Sequence, residues 1–194
     1  MNKEEVSMDI ASIIIIMIVG GLLILTFYVI GVYNKLINAR NKVEDQFAQI
    51  DVELKRRTDL IPNLVEVVKG YAKHEDKTLN AVINARNKMI HASNINEELE
   101  ASRNVDSALG KLFALSESYP DLKANTNFME LQKELSLTED KIGYARSFYN
   151  DTVLNYNNLK QQFPNNLVAN MFKFKDIDYF KTREEEKENV KVKF

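Results

Sequence analysis

Apolar residues fall along this chain in two different patterns. From Ile10 to Val32 they run together without a charge, IASIIIIMIVGGLLILTFYVIGV, and from Leu36 onward they recur at spacings of three and four. A helix needs ~20 such residues to span a hydrocarbon core, so the first pattern predicts a membrane-crossing helix. The second puts apolar side chains on one face of a helix. Its longest stretch occupies positions 128, 131, 135, 138, 142, 145, 149, 152, 156, 159 and 163, filled by Phe, Leu, Leu, Thr, Ile, Ala, Tyr, Thr, Tyr, Leu and Phe. This heptad stripe predicts a coiled-coil-like helix from about Asn127 to Phe163, closed by Pro164.

Three amphipathic segments precede it. The first carries Leu36, Val43, Phe47, Ile50 and Leu54, and is interrupted by Thr58-Asp59-Leu60-Ile61-Pro62. A residue before proline is pushed out of the α region, and proline favours the first helical turn. Either a tight turn with a new helix from Pro62 or a kink is therefore expected there. The next segment uses Ile61, Leu64, Val65, Val68, Ala72, Leu79, Val82 and Met89 and frays at Ala92-Ser93-Asn94. Another, from about Asn96 to Tyr119, buries Leu99, Val105, Leu109, Leu112 and Phe113 ahead of Pro120. Short links between amphipathic helices imply antiparallel neighbours. The expected fold is all-α: an N-terminal transmembrane helix followed by an antiparallel four-helix bundle, or a three-helix arrangement with one long bent member if Pro62 only kinks.

The expected organisation is a short exposed N-terminus (1–9), the transmembrane helix (10–32), the bundle (33–174) and a charged flexible tail (175–194). After Pro164, NNLVANMFKFK reads as a short amphipathic turn packing Leu167, Met171 and Phe172 on the bundle end. TREEEKENVKVKF is highly charged and poor in apolar residues, which predicts a disordered terminus.

Charge adds a direction. The leader MNKEEVSMD is net acidic and no A-x-A-like site follows the apolar run, so a cleaved signal peptide is disfavoured. Lys35, Arg40 and Lys42 follow the span, against Lys3 alone before it. Basic flanks stay inside, so the bundle is expected in the cytoplasm of a single-pass protein of the cell membrane, with the N-terminus outside.

Composition removes several chemistries. With no cysteine there is no disulfide, thiolate metal site or cysteine nucleophile. The 26 basic and 28 acidic residues leave no basic excess for a nucleic-acid groove. His74-Glu75 begins the zinc-protease pattern H-E-x-x-H, but its last position is Thr78. No Glu-x-x-His pairs suggest a di-metal bundle, and no glycine-rich phosphate loop or G-x-S-x-G elbow occurs. No catalytic, cofactor-binding or metal-ligating residue is assigned; neither enzymatic activity nor a small-molecule substrate is expected. Arg40, Arg86 and Arg146 fall on or beside apolar stripes, with Asp51, Asp59, Glu66 and Glu75 in register to meet them. Buried arginines need partners, so an interhelical ion-pair network is expected, with a partner-binding polar groove as the alternative.

The residues also carry a resemblance. YNKLINARNKVEDQFAQIDVELKRRTDLIPNLVEVVKGYAKHEDKTL, residues 33–79, strongly resembles the signature of the LemA family of bacterial membrane proteins. SYPDLKANTNFMELQKEL, EDKIGYARSFYNDTVLNYN and FPNNLVANMFKF match its later blocks in order, with Phe47 where a tryptophan is commoner. The matching positions include Arg40, Asn41, Asp51, Arg56, Arg57, Asp59, Pro62, Asn63, Lys69, Tyr71 and Glu75. The resemblance implies a single-pass membrane protein with an antiparallel helical bundle and supplies no catalytic residue.

A structural, scaffold or adaptor role at the bacterial cell membrane is therefore the leading expectation. Its partners would be the lipid bilayer, through the N-terminal helix, and a second copy or another membrane protein; nucleic acid is not expected. The alternative is a bundle that docks on anionic lipid or regulates a membrane peptidase-type partner. Lys55-Arg56-Arg57 is the basic cluster for such docking, although a straight helix would hold it ~35 Å beyond Val32.

Overall fold

A computed structural model describes the backbone of residues 3–180 and the side chains of Ile10 and of residues 12–180. Among the described residues all regular structure is helical, in the order α1 (Lys3–Tyr71), α2 (Asp76–Ile90), α3 (Ile95–Ser116), α4 (Pro120–Lys123), α5 (Thr126–Gln161) and α6 (Asn165–Met171). The all-α helical-bundle expectation holds. Local chemistry sets the starts: Asn94 caps α3 by accepting from the Glu97 N–H at 3.0 Å, and the Glu97 carboxylate reaches back to the Ser93 N–H at 2.9 Å. Asn125 does the same for α5, accepting from the Phe128 N–H at 3.0 Å.

Of the two outcomes expected at 58–62, the tight turn with a new helix from Pro62 is corrected. α1 runs through Pro62 and ends at Tyr71; the turn to α2 comes at Ala72–Glu75. A proline inside a helix removes the N–H that would serve the carbonyl four residues earlier, here that of Thr58. The Arg86 side chain of α2 replaces it, with Nε donating to the Thr58 carbonyl at 2.8 Å. Ile61, Leu64, Val65 and Val68 around the proline are all buried, so the packing rewards a continuous helix.

Two compact units share α1 and α5. One comprises α1 up to Val43 with Thr152–Ile177, the other Glu44–Asp151 with the described residues from Asp178. In the second unit the later part of α1 joins α2, α3 and the first part of α5 in a four-helix bundle. As partners advance along α1 they retreat along α5: Phe47 meets Tyr149, Glu53 lies 4.0 Å from Lys141, and Arg56 pairs with Glu134 at 2.6 Å. The two are therefore antiparallel there. The core takes Ile50, Leu54, Val82, Val105, Leu112, Phe128, Leu135 and Ile142, much as the spacing predicts.

In the first unit, Val32 and Leu36 pack against Val168 and Ala169 of α6, with Val29, Leu159 and Phe174 around them. The expected face of this short helix is corrected: Leu167 and Met171 are each 61% exposed and Phe172 is 48% exposed. α6 closes at Lys173 (φ 58°), where the Lys173 N–H reaches the Asn170 carbonyl and the Phe174 N–H reaches that of Ala169. That is the Schellman closure, with lysine where glycine is usual.

Packed chain also extends past the expected boundary at Phe174. Ile177 is half-buried and Phe180 buried. The tail expectation for 181–194 lies outside the described residues, and α1 already begins at Lys3.

Candidate functional site

Three helices of the second unit bring ionisable side chains inward. Arg57 of α1 is only 4% exposed; it meets Asp106 of α3 and lies 2.6 Å from Glu139 of α5. Ser102 accepts from its Nη1 at 3.4 Å. The Glu139 approach is a charge contact rather than an aligned hydrogen bond. Two turns along α5, Arg146 lies in the field of Glu139, Glu98 and Asp106, with its guanidinium 5.7 Å over the Phe180 ring.

Burial dominates the proton affinities. It lowers the pKa of Arg146 against the pull of the three carboxylates. It raises Glu139, opposed first by Arg57. Glu98 of α3, 7% exposed, is pushed from 4.5 up to about 7 by burial, opposed by Arg146 and reinforced by the charge of Asp51. Among the described residues, Arg57 Nε, Arg146 Nε and Nη2, and Glu98 Oε1 have no hydrogen-bond partner. The cluster is thus held by mutual charge more than by directed bonds, and its members fix α1, α3 and α5 in register.

The expected network is partly redrawn. Arg146 joins the cluster, with Asp51 at its edge. Arg86 serves Thr58 instead, Asp59 is paired with Lys55 at 2.5 Å, Glu75 accepts from the Tyr119 hydroxyl at 3.0 Å, and Glu66 is exposed. Arg40 belongs to the other unit, lining a cleft of about 400 Å³ with Tyr33, Tyr156 and residues 172–177. Arg57 was read as part of a headgroup-binding run, yet it continues the stripe Ile50, Leu54, Arg57, Ile61, Leu64. An arginine on a core stripe is the signal that could have found it. All three basic residues of that run face carboxylates of the same chain. The histidines stand apart: His74 is exposed in the α1–α2 link, and His91 ends α2 with Nδ1 2.7 Å from the Asn87 carbonyl. Among the described residues no three His, Asp or Glu side chains group to hold a metal ion.

A second polar feature has a sequence signature that the stripe concealed. The dipeptide Tyr-Asn occurs at 149–150 and again seven residues on at 156–157. In the first unit, the Tyr156 hydroxyl donates to the Lys175 carbonyl at 2.8 Å, and the Asn157 amide both donates to and accepts from the Ile177 backbone, at 3.0 and 3.1 Å. In the second, the Tyr149 hydroxyl donates to the Asp178 carbonyl at 3.0 Å, and Asn150 exchanges two bonds with Phe180 at 3.0 and 2.9 Å. Each dipeptide grips the non-helical chain after α6 in the same way.

The first unit adds the apolar run. Its described side chains from Ile10 to Gly31 are exposed apart from Gly20 and Val29, with Ile24 at 73% and Phe27 at 72%. The segment is long and apolar enough to cross a membrane.

Residues 46–194 match the profile of the LemA family. The chain belongs to the LemA family. It is 28% identical to Protein LemA of Metamycoplasma hominis over 168 residues, 84% of this chain and 75% of that one. It is also 23% identical to Magnetosome protein MamQ 2 of Paramagnetospirillum magneticum, over 78% of this chain and 65% of the relative. Magnetosome protein MamQ of Magnetospirillum gryphiswaldense is 22% identical over 76% and 64%. The chain thus spans less than two thirds of the magnetosome relatives. This LemA-family chain is a membrane-associated helical protein, with one candidate span among the described residues, near the N-terminus.

Proposed function

We propose that this LemA-family protein is a non-catalytic scaffold or adaptor, anchored in the cell membrane by a single pass, with its bundle on the cytoplasmic side. One observation carries the proposal: α1 is a single helix whose early part is an exposed apolar run and whose later part supplies buried core residues such as Ile50, Ile61 and Leu64. Anchor and bundle are joined by one continuous helix, with no linker between them, a design that ties a protein surface to a membrane. On α5 of the second unit, Leu137, Tyr144 and Phe148 are 44%, 78% and 62% exposed, at helical spacings of seven and four. They form a face on which a second copy or another membrane protein would be recruited.

The chain has no cysteine, so single-cysteine variants give an unambiguous test of topology. Ser136→Cys should stay unlabelled by a membrane-impermeant maleimide in intact cells and label after permeabilisation, whereas Ser7→Cys should label in both. Labelling of position 136 from outside would reverse the orientation. For recruitment, in-cell photocrosslinking from Tyr144 should trap a discrete membrane-protein or self adduct that Phe148→Asp abolishes. Absence of any adduct would count against a scaffold acting through this face.

A further inference from the structure

We infer that α6 and the turn before it form a second membrane contact, lying side-on in the headgroup and upper acyl region of the leaflet nearest the bundle. The inference rests on residues 10–32 crossing the bilayer, and goes beyond that anchor by assigning a lipid surface to a segment more than a hundred residues away in sequence.

Position along α1 fixes the depth. Asn165, at the start of α6, accepts from the Tyr28 hydroxyl at 3.3 Å. Tyr28 lies four residues, ~6 Å of helix, inside the end of the uncharged run at Val32. Val168 and Ala169 pack on Val29, Val32 and Leu36, and the ring of Phe172 sits 4.8 Å from that of Tyr33. α6 therefore straddles the level at which the hydrocarbon core gives way to headgroups.

Its composition fits that level. Val168 and Ala169 face α1, yet Leu167, Met171 and Phe172 are exposed on other sides, and Phe163 just before the helix is 80% exposed. Large exposed apolar side chains grouped this closely mark a surface that meets lipid or protein, although Asn165, Asn166 and Asn170 keep part of α6 polar. The contact of Phe172 with Tyr33, itself 36% exposed, joins this group to the exposed apolar side chains of α1. The exposed Lys173 and Lys175 follow at the headgroup end, where cations meet lipid phosphates.

The chain has no tryptophan, so single substitutions report cleanly. Four full-length variants in lipid nanodiscs suffice: Phe27→Trp, Phe163→Trp, Leu167→Trp and Asn155→Trp. Asn155 is the aqueous control, since it shares a cleft with Asn38 and Lys42 beyond the apolar run. Acyl-brominated lipid should remove most of the emission at 27, 163 and 167 and little at 155. Quenching at 27 without quenching at 163 and 167 would overturn the α6 contact while sparing the anchor. Absence of quenching at 27 as well would overturn the anchor itself. Blue-shifted, iodide-protected emission at 167 that bromolipid leaves untouched would assign the patch to a second copy instead.

Discussion

Arg86→Leu tests the account of α1 most directly. Pro62 strips the Thr58 carbonyl of its helical donor, and Arg86 restores one at 2.8 Å. A hydrogen bond to a charged donor contributes about 1.5–3 kcal/mol, and the carbonyl left without it is costly where water has poor access. Arg86→Leu should therefore destabilise the protein by about 2 kcal/mol, a fall in Tm of roughly 4–8 °C for a chain of this size. Pro62→Ala supplies an N–H to the same carbonyl, so Arg86→Leu made in that background should cost ~1 kcal/mol or less. The coupling in the double-mutant cycle should then be about 1–2 kcal/mol. Urea denaturation of the full chain in detergent micelles, followed by helical circular dichroism, measures all four corners. Strict additivity would refute the reasoning, because Arg86 would then act independently of the donor that proline removes.

Further outcomes follow from the same structure. Glu98 has a folded pKa of about 7 against 4.5. A carboxyl raised on folding favours the native state at low pH, and that advantage is lost as pH rises from 4.5 to about 7. At roughly 1.4 kcal/mol per tenfold change in proton affinity, the loss is about 3 kcal/mol, so Glu98→Gln should flatten the pH dependence and exceed the native protein in stability above neutrality, by urea titration at several pH values. Arg57→Ala strands Glu139 and should cost about 3 kcal/mol or more in the same assay, with Arg57→Lys recovering only part of it. Asn157→Ala removes both bonds to Ile177 and should speed amide hydrogen exchange there by at least tenfold, for ~1.4 kcal/mol or more of lost protection. Lys173→Gly relieves a left-handed lysine and should stabilise the protein by about 1 kcal/mol, read as a raised urea midpoint.

Sequence by itself determined the candidate membrane span and the greater part of the core. Both depend on local periodicity: a charge-free run long enough for a bilayer, and stripes at three-and-four spacing whose Leu36, Ile50, Val82, Leu112, Leu135 and Ile142 are all buried. The family was legible too, since residues 33–79 carry an ordered signature. Tertiary structure alone decided the rest, because each remaining feature depends on a partner distant in sequence. Pro62 reads locally as a boundary, but Arg86 of another helix replaces the donor it removes and the buried residues around it favour a continuous helix. Arg57 reads as one cation of a surface run until Asp106 and Glu139 close on it. α6 reads as a cap with its largest side chains inward, but small Val168 and Ala169 allow closer approach to α1 and turn Leu167 and Met171 outward. Periodicity tells a helix which face is apolar; which apolar face meets protein and which meets another medium is settled only by what packs beside it.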